Sequence, residues 1–350
     1  MSTVIMETEE NTQQVQDVPP AVALTQMVSG YWVSQAIYVA ARLGVADLLA
    51  GGPKHVVELA GACGADEAAL YRVMRMLAGV GVFARDAEGR FQLTPLSEPL
   101  RTGPGSARSM AIHMVEGPSW RAWGELLHTV RTGETAFAHA NGSEVFPFYA
   151  AHPESAEPFN QAMTEMSAAT AEAVVRAYDF GGMKRVVDVG GGHGQLLAAI
   201  LKANPHLSGV VFDQPEVADA ARERLAAEGL GGRCEAEGGD FFESVPEGGD
   251  AYLLKWIIHD WDDRRAGVIL KNIYRAMPEG GRLLLVEAVV PEGDGPSFSK
   301  HMDVHMMIMT GGRERTESEY ARLYADAGFR LTRVVPTESM MNIVEGVKIG

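Results

Sequence analysis

Two cysteines, Cys63 and Cys234, are all that the 350 residues contain. So few exclude a disulfide framework and a thiolate zinc site. Positive charge is scarce as well: 30 Lys and Arg stand against 46 Asp and Glu, a formal net charge of −16. That balance repels the phosphates of nucleic acids and an anionic membrane surface alike. No apolar run reaches the ~20 residues of a membrane span, and the N-terminus lacks a basic-then-apolar signal pattern. Internal repeats and low-complexity tracts are missing too. A cytoplasmic, reducing compartment is therefore expected, with neither nucleic acid nor membrane as partner. What is present, 46% hydrophobic and 22% charged residues, suits a globular chain long enough for two domains.

Residues 1–18 are polar and read as a loose arm. After Pro19 and Pro20, the stretch Ala21 to Leu43 carries Leu24, Met27, Val28, Tyr31, Trp32, Ile37 and Tyr38. A helix this apolar all round must be buried, in its own core or against a second copy of the chain. Asp66 opens a further helix, and Gly79–Phe83 and Gly89–Leu93 read as a small hairpin. Helix, turn, helix and hairpin outline a winged helix. Its second helix offers Arg72 and Arg75 but no basic stripe, so a dimerisation role is expected rather than DNA binding. The break at Gly103-Pro104-Gly105 puts the domain boundary between 105 and 106. Helices are expected at Met110–Val115, Trp120–Val130 and Pro158–Tyr178, with aromatics and methionines, Met163 and Met166 among them, able to wall a pocket for a flat ligand.

From Val186 the pattern changes. Apolar residues around Asp188 run into glycines at 190, 191, 192 and 194, and an apolar periodic run follows from Leu196. This is a buried strand, a tight turn and a helix. Glycine lets the backbone approach a ligand at the positive end of that helix. The spacing is G-x-G-x-G, and Gln195 stands where the dinucleotide fingerprint wants a third glycine. Asp213 ends a second strand, where a carboxylate can take both ribose hydroxyls. A third strand ends at Gly239, Asp240 and Phe241, an acid and a ring suited to an adenine. Either acid could instead be an ordinary strand-end cap. Strands alternate with helices to the end of the chain, as a parallel sheet requires. Strands at Ala251–Lys255 and Arg282–Val290, helices capped at Asp262 or Asp263 and at Thr316, and an antiparallel edge hairpin near 330–336 and 342–348 are expected.

After the fourth of these strands come Lys255, Trp256, Ile257, Ile258, His259, Asp260 and Trp261. Ligands in open α/β sheets bind beyond the carboxyl ends of the strands, where this segment falls. A histidine there can be a helix cap, but two tryptophans and two charges around it are uncommon. His301, Asp303 and His305 share one helix and could ligate a metal, yet a third well-placed ligand is not evident and no metal is expected.

The sequence resembles the plant-type, metal-independent S-adenosylmethionine-dependent O-methyltransferases, including their bacterial natural-product members. The resemblance rests on Val187–Gly194 (VDVGGGHG), Phe212–Pro215 (FDQP), Gly239–Phe242 (GDFF), Leu254–Trp261 (LKWIIHDW), Leu285–Ala288 (LVEA) and Gly311–Thr316 (GGRERT). It covers nearly the whole chain; Gln214 departs from the leucine usual after the ribose acid. It implies a Rossmann-like class I methyltransferase fold, mostly parallel with an antiparallel edge hairpin. An N-terminal winged-helix dimerisation domain over 1–105 would precede a helical linker and catalytic domain over 106–350. It also implies S-adenosylmethionine as cofactor, S-adenosylhomocysteine as product, an aromatic acceptor and a homodimer. By position, Asp188, Gly190, Gly192, Asp213, Gln214, Gly239, Asp240, Phe241 and Lys255 would bind the cofactor. His259 would be the general base, flanked by Glu287 and Glu314. Met163, Met166, Trp256, Asp260, Met302 and Met306 would meet the acceptor. Methylation of nitrogen or carbon, a repurposed member that binds cofactor without transfer, and a nicotinamide-dependent dehydrogenase on the same fold are the alternatives.

Overall fold

The computed structural model describes residues 18–103 and 105–350, so the expected polar arm lies, but for Val18, outside the described residues. The chain forms two compact units, Met1–Glu116 and Gly117–Gly350. The division falls beyond Gly105 because the helix Arg108–His113 belongs to the first unit. There Ile112 packs into the core, and Arg108 donates to the Ala41 carbonyl and pairs with Asp47.

In the first unit the expected single stretch Ala21–Leu43 is two helices, Pro20–Val28 and Gly30–Arg42, interrupted at Ser29. The first buries none of its residues within the chain. Met27 is 78% exposed and Trp32, on the second, 57%. Asp66 caps the helix Glu67–Gly79 by accepting from the Ala69 amide at 2.8 Å, and that helix turns Leu70, Met74 and Leu77 into the core. The hairpin follows, β1 (Phe83–Arg85) against β2 (Phe91–Leu93), with Phe83 and Phe91 closing the same core.

The second unit begins with helices. Trp120–Val130 is two of them, Gly117–Gly124 and Leu126–Thr132, and the long one runs Pro153–Ala177 with Pro158 inside it. Then come β3 (Arg185–Val189), β4 (Ser208–Asp213), β5 (Cys234–Gly238), β6 (Ala251–Lys255) and β7 (Arg282–Glu287). Short strands β8 (Val289–Val290) and β9 (Arg315–Thr316) pair with each other, and β10 (Phe329–Pro336) and β11 (Asn342–Lys348) end the chain. The main sheet has the order β10-β11-β7-β6-β3-β4-β5, parallel from β7 to β5, with the antiparallel β10–β11 hairpin at its edge.

Period-two alternation splits the sheet's side chains between two cores. Val186, Val211, Leu253 and Leu284 face one layer; Val187, Val210, Leu254 and Leu283 face the other. The strand order reverses beside β3, whose neighbours are β4 and β6. At such a switch point the loops leaving adjacent strands diverge and open a crevice.

One expected element is corrected. The strand anticipated over Arg282–Val290 stops at Glu287, and after Ala288 the chain leaves the main sheet. There Val289 and Val290 pair in parallel with Arg315 and Thr316. This small ladder brings Gly311–Thr316 from far along the chain to the end of β7.

Candidate active site

The parallel register sets the carboxyl ends of β3, β4, β5, β6 and β7 along one edge. That edge gathers the glycine loop, Asp213, Gly239, Lys255 and Glu287. The loop is drawn onto β4 by Gly190 and Gly191, whose amides both donate to the Phe212 carbonyl, at 2.7 and 3.3 Å. Gly190 has φ +70°, and a Cβ there would stand 2.4 Å from Ile257 Cδ1. Gly192, at φ +57°, has open space where its Cβ would be. Asp213 accepts from the Gly192 amide at 2.8 Å and from the Gln214 amide at 2.7 Å. Burial raises its pKa, and these amides act against that.

Asp188 lies buried beneath Gly191, and among the described residues its Oδ2 has no hydrogen-bond partner. Burial pushes its pKa to about 7, against the attraction of Lys255. Lys255, pushed down by burial to about 8, donates to Ser167 Oγ at 2.9 Å and sits 4.0 Å from the centre of the Trp256 ring. Asp240 is exposed and caps its own turn by accepting from the Phe242 amide at 2.8 Å, while Phe241 stands edge-on to Phe242. A loop with glycine-only clearance, an open side at Gly192, a part-buried carboxylate at Asp213 and an exposed one at Asp240 fits a nucleoside carrying an amino-acid tail.

Trp256 is the one non-glycine residue with positive φ, +56°, among the described residues. Strain of this kind persists where neighbours over-determine it. Its amide reaches the Val286 carbonyl, its indole N–H reaches Met341 Sδ at 2.8 Å, and the chain then turns into Ile258–Asp260.

On that turn sits His259, its side chain 13% exposed. Its Nδ1 lies 2.8 Å from Glu314 Oε1 and 3.8 Å from Glu287 Oε2; its Nε2 lies 3.9 Å from Asp260 Oδ1. A carboxylate only accepts, so Nδ1 keeps its proton toward Glu314 and Nε2 is the nitrogen that can gain or lose one. Glu287 spends its Oε1 on the Ile257 and Ile258 amides, at 3.1 and 2.9 Å. Burial alone would push the imidazole pKa down, but Glu287, Glu314 and Asp260 outweigh it and raise it to about 10. Burial raises Asp260 to about 6, opposed by the His259 charge; Glu287 is raised for the same reasons. An ordinary histidine, neutral at pH 7, is thus not what the fold builds: carboxylates make the ring a stronger base, charged near neutrality.

The remaining residues named from sequence fall into two groups. Met166 and Trp256 line a cavity of about 340 Å³ with Thr170, Met340 and Met341. Met302 and Met306 lie a turn apart on Phe298–Met309, half-buried and buried respectively, either side of Asp303. Asp303 accepts from the Glu314 amide at 2.9 Å, which ties this helix to the His259 cluster. Met163 is half-buried on the long helix.

The alternative metal cluster disperses. His301 bonds the Ser297 carbonyl, Asp303 the Glu314 amide, and His305 Nδ1 accepts from the Trp123 indole at 3.2 Å. His259, Glu287 and Glu314 instead offer ligand atoms within 4.8 Å of one another. Sequence reasoning offered Asp303 only as a possible metal ligand and assigned no role to Ser167, Gly312 or Arg315. The motif Gly311–Thr316 flagged the last two by position, but nothing in a sequence marks an arginine as buried.

Two family models match the chain: an O-methyltransferase dimerisation domain over residues 25–103 and an O-methyltransferase domain over residues 123–330. The phenazine O-methyltransferase PhzM of Lysobacter antibioticus is 50% identical over 94% of this chain and 96% of its own. An 8-amino-8-demethylriboflavin N,N-dimethyltransferase of Streptomyces davaonensis is 36% identical over 89% and 91%. The S-adenosylhomocysteine-bound structure of CalO1, a methyltransferase in calicheamicin biosynthesis, superposes with TM-score 0.86 at 38% identity, covering 95% and 100%. Among the described residues no helix is long and apolar enough to cross a membrane.

Proposed function

The chain belongs to the O-methyltransferase family, and on that premise we propose that it methylates a phenolic hydroxyl of a flat aromatic small molecule, with His259 as general base. It is a methyltransferase of class I fold, and its cofactor is S-adenosylmethionine, with S-adenosylhomocysteine as product. Family membership removes the nicotinamide-dependent alternative. When bound, the cofactor supplies an electrophilic methyl group; this chain's residues bind, orient and manage the proton. Gly190 and Gly192 would hold the cofactor through their backbone and Asp188 and Lys255 through their charges. Asp213 with Gln214 would take the ribose, and Gly239, Asp240 and Phe241 the adenine. Met163, Met166, Trp256, Asp260, Met302 and Met306 would wall the acceptor.

The observation that carries the base assignment is the 2.8 Å contact of His259 Nδ1 with Glu314 Oε1, which leaves Nε2 to take a proton. A free phenol has a pKa near ~10 and free imidazole near ~6.5, a transfer uphill by about 5 kcal/mol. Raised to about 10 by its carboxylates, the His259 ring matches the phenol and the transfer is close to balanced. Glu314 holds the tautomer and stabilises the imidazolium, as the acid of a hydrolase triad does.

Nitrogen acceptors are the second reading, motivated by the N,N-dimethyltransferase relative. An amino nitrogen attacks with its own lone pair, and the ammonium it forms sheds its proton afterwards without a strong base. A base held by three carboxylates therefore favours a hydroxyl. The phenazine relative supports a fused-ring acceptor. The dimerisation domain, with Leu24, Met27, Val28 and Trp32 uncovered in the single chain, supports a homodimer.

The test is His259→Ala in single-turnover transfer to a panel of phenols and aromatic amines. The expected result is labelled product on oxygen with wild-type enzyme, and a loss of about a hundredfold or more in the variant at unchanged S-adenosylhomocysteine affinity. A variant that keeps wild-type rates near neutral pH overturns the base assignment.

A further inference from the structure

The turn that carries His259 holds itself poorly. Its own hydrogen bonds, Asp260 amide to Ile257 carbonyl and Trp261 amide to Ile258 carbonyl, are both long at 3.3 Å. Its position is imposed from outside. On the amide side Glu287 takes the Ile257 and Ile258 N–H groups. On the carbonyl side the partners come from residues 312–315. The Arg313 amide donates to the His259 carbonyl at 2.9 Å. Gly312 lies so close that a Cβ would stand 1.9 Å from that same oxygen, so only glycine admits this approach.

Arg315 completes this side. Its side chain is 0% exposed, which for a guanidinium is costly unless every donor is met. All five are. Nε reaches Asp263 Oδ1 at 2.9 Å, and Nη1 reaches the Ile258 and Arg313 carbonyls, each at 3.2 Å. Nη2 reaches the Trp261 carbonyl at 2.9 Å and Asp263 Oδ1 at 2.8 Å. The fork therefore spans the turn from Ile258 to Trp261, with His259 and Asp260 between its two attachment points. Glu314, the partner of His259 Nδ1, is the residue immediately before it.

We propose that Arg315, anchored by Asp263, is a positioning residue that locks the His259 turn to the segment carrying Glu314 and so sets the His259–Glu314 contact. This rests on the reading of His259 as the base, but it concerns where the ring is held and can be read without turnover. A buried apolar residue of similar length could fill the space; only a planar fork of donors can satisfy two carbonyls of the turn at once. Lysine keeps the charge but not the fork. Loosening the clamp lets Nδ1 and Oε1 separate, which weakens the imidazolium and misplaces Nε2.

The test uses Arg315→Lys and Asp263→Asn in the full-length protein. Asp263 is well exposed, so its variant remains folded should Arg315→Lys not. Three quantities are read: the titration of the His259 ring by NMR in histidine-labelled protein, S-adenosylhomocysteine affinity by calorimetry, and kcat and KM with a phenol. The expected result for Arg315→Lys is a His259 titration moved about one unit to lower pH and a high-pH plateau of kcat about tenfold lower or more. KM and cofactor affinity should stay within about twofold, and Asp263→Asn should shift in the same direction by less. Folded variants whose His259 titrates as in wild type overturn the proposal, including the case in which activity falls only in step with melting temperature. If Arg315→Lys moves the titration while His259→Ala leaves the transfer rate intact, the positioning role stands and the base assignment fails.

Discussion

Replacing Glu314 by glutamine removes the carboxylate closest to the imidazole while keeping its shape. Oε1 lies 2.8 Å from His259 Nδ1, a charge-assisted contact of the kind worth about 1.5–3 kcal/mol. At 1.36 kcal/mol per pKa unit, its loss lowers the His259 pKa by about one to two units. The sign follows from charge: the carboxylate favours the protonated ring, so removing it favours the neutral one. Two consequences oppose each other. With the pKa raised well above neutrality by its carboxylates, only a small fraction of rings is free at pH 7, and the variant raises that fraction about ten- to hundredfold. The weaker base is also slower per event by Brønsted behaviour, by about three- to tenfold. Glu314→Gln should therefore move the pH at which single-turnover transfer levels off to lower pH by about one to two units, with a lower plateau. The rate at pH 7 should instead rise by about three- to tenfold, because the gain in free ring outweighs the slower step. Transfer is measured from pH 6 to 10 with two phenols of different acidity, because a limb belonging to the enzyme stays put when the acceptor changes. A limb that does not move in Glu314→Gln, or that moves to higher pH, refutes the reasoning.

Asp213→Ala should weaken S-adenosylhomocysteine by at least about tenfold in calorimetry, since it removes carboxylate contacts of about 1.5–3 kcal/mol each; unchanged affinity would leave Asp213 only its bonds to Gly192 and Gln214. Exhaustive dialysis against a chelator should leave transfer unaffected, the His259–Glu314 distance being a hydrogen bond between the would-be ligands; activity lost and then restored by a divalent ion would give the His259, Glu287 and Glu314 cluster to a metal. Light scattering should give twice the chain mass at micromolar concentration, and Met27→Asp with Trp32→Asp should reduce it; a wild-type monomer would leave those exposed side chains unexplained.

Much of this molecule follows from local rules that act within a few residues. Asp66, Asp262 and Thr316 cap the helices they precede because their side-chain oxygens meet amides three residues on. Ala251–Lys255 is a strand and Gly190 a left-handed turn for equally local reasons. Strands that alternate with helices implied a parallel sheet, and in such a sheet the strand ends share one edge. That is why His259, Asp213 and the glycine loop could be brought together on paper. Pro158, by contrast, was read as a helix start because a proline has no amide to give; the fold carries the helix through it from Pro153 to Ala177. Ser29 interrupts what looked like one apolar helix.

What the tertiary structure alone decided is the electrostatics and the grip of the site. The strand after β7 leaves the main sheet at Ala288 and pairs with Arg315 and Thr316, so Glu287, Glu314 and Arg315 converge from distant parts of the chain. Glu314, not Glu287, takes the His259 ring nitrogen, while Glu287 is spent on backbone amides. The basicity of His259 and the burial of Arg315 depend on how many carboxylates and carbonyls converge on one buried turn. Spacing along a chain carries no record of that, because it is set by distances between segments that only the folded sheet brings together.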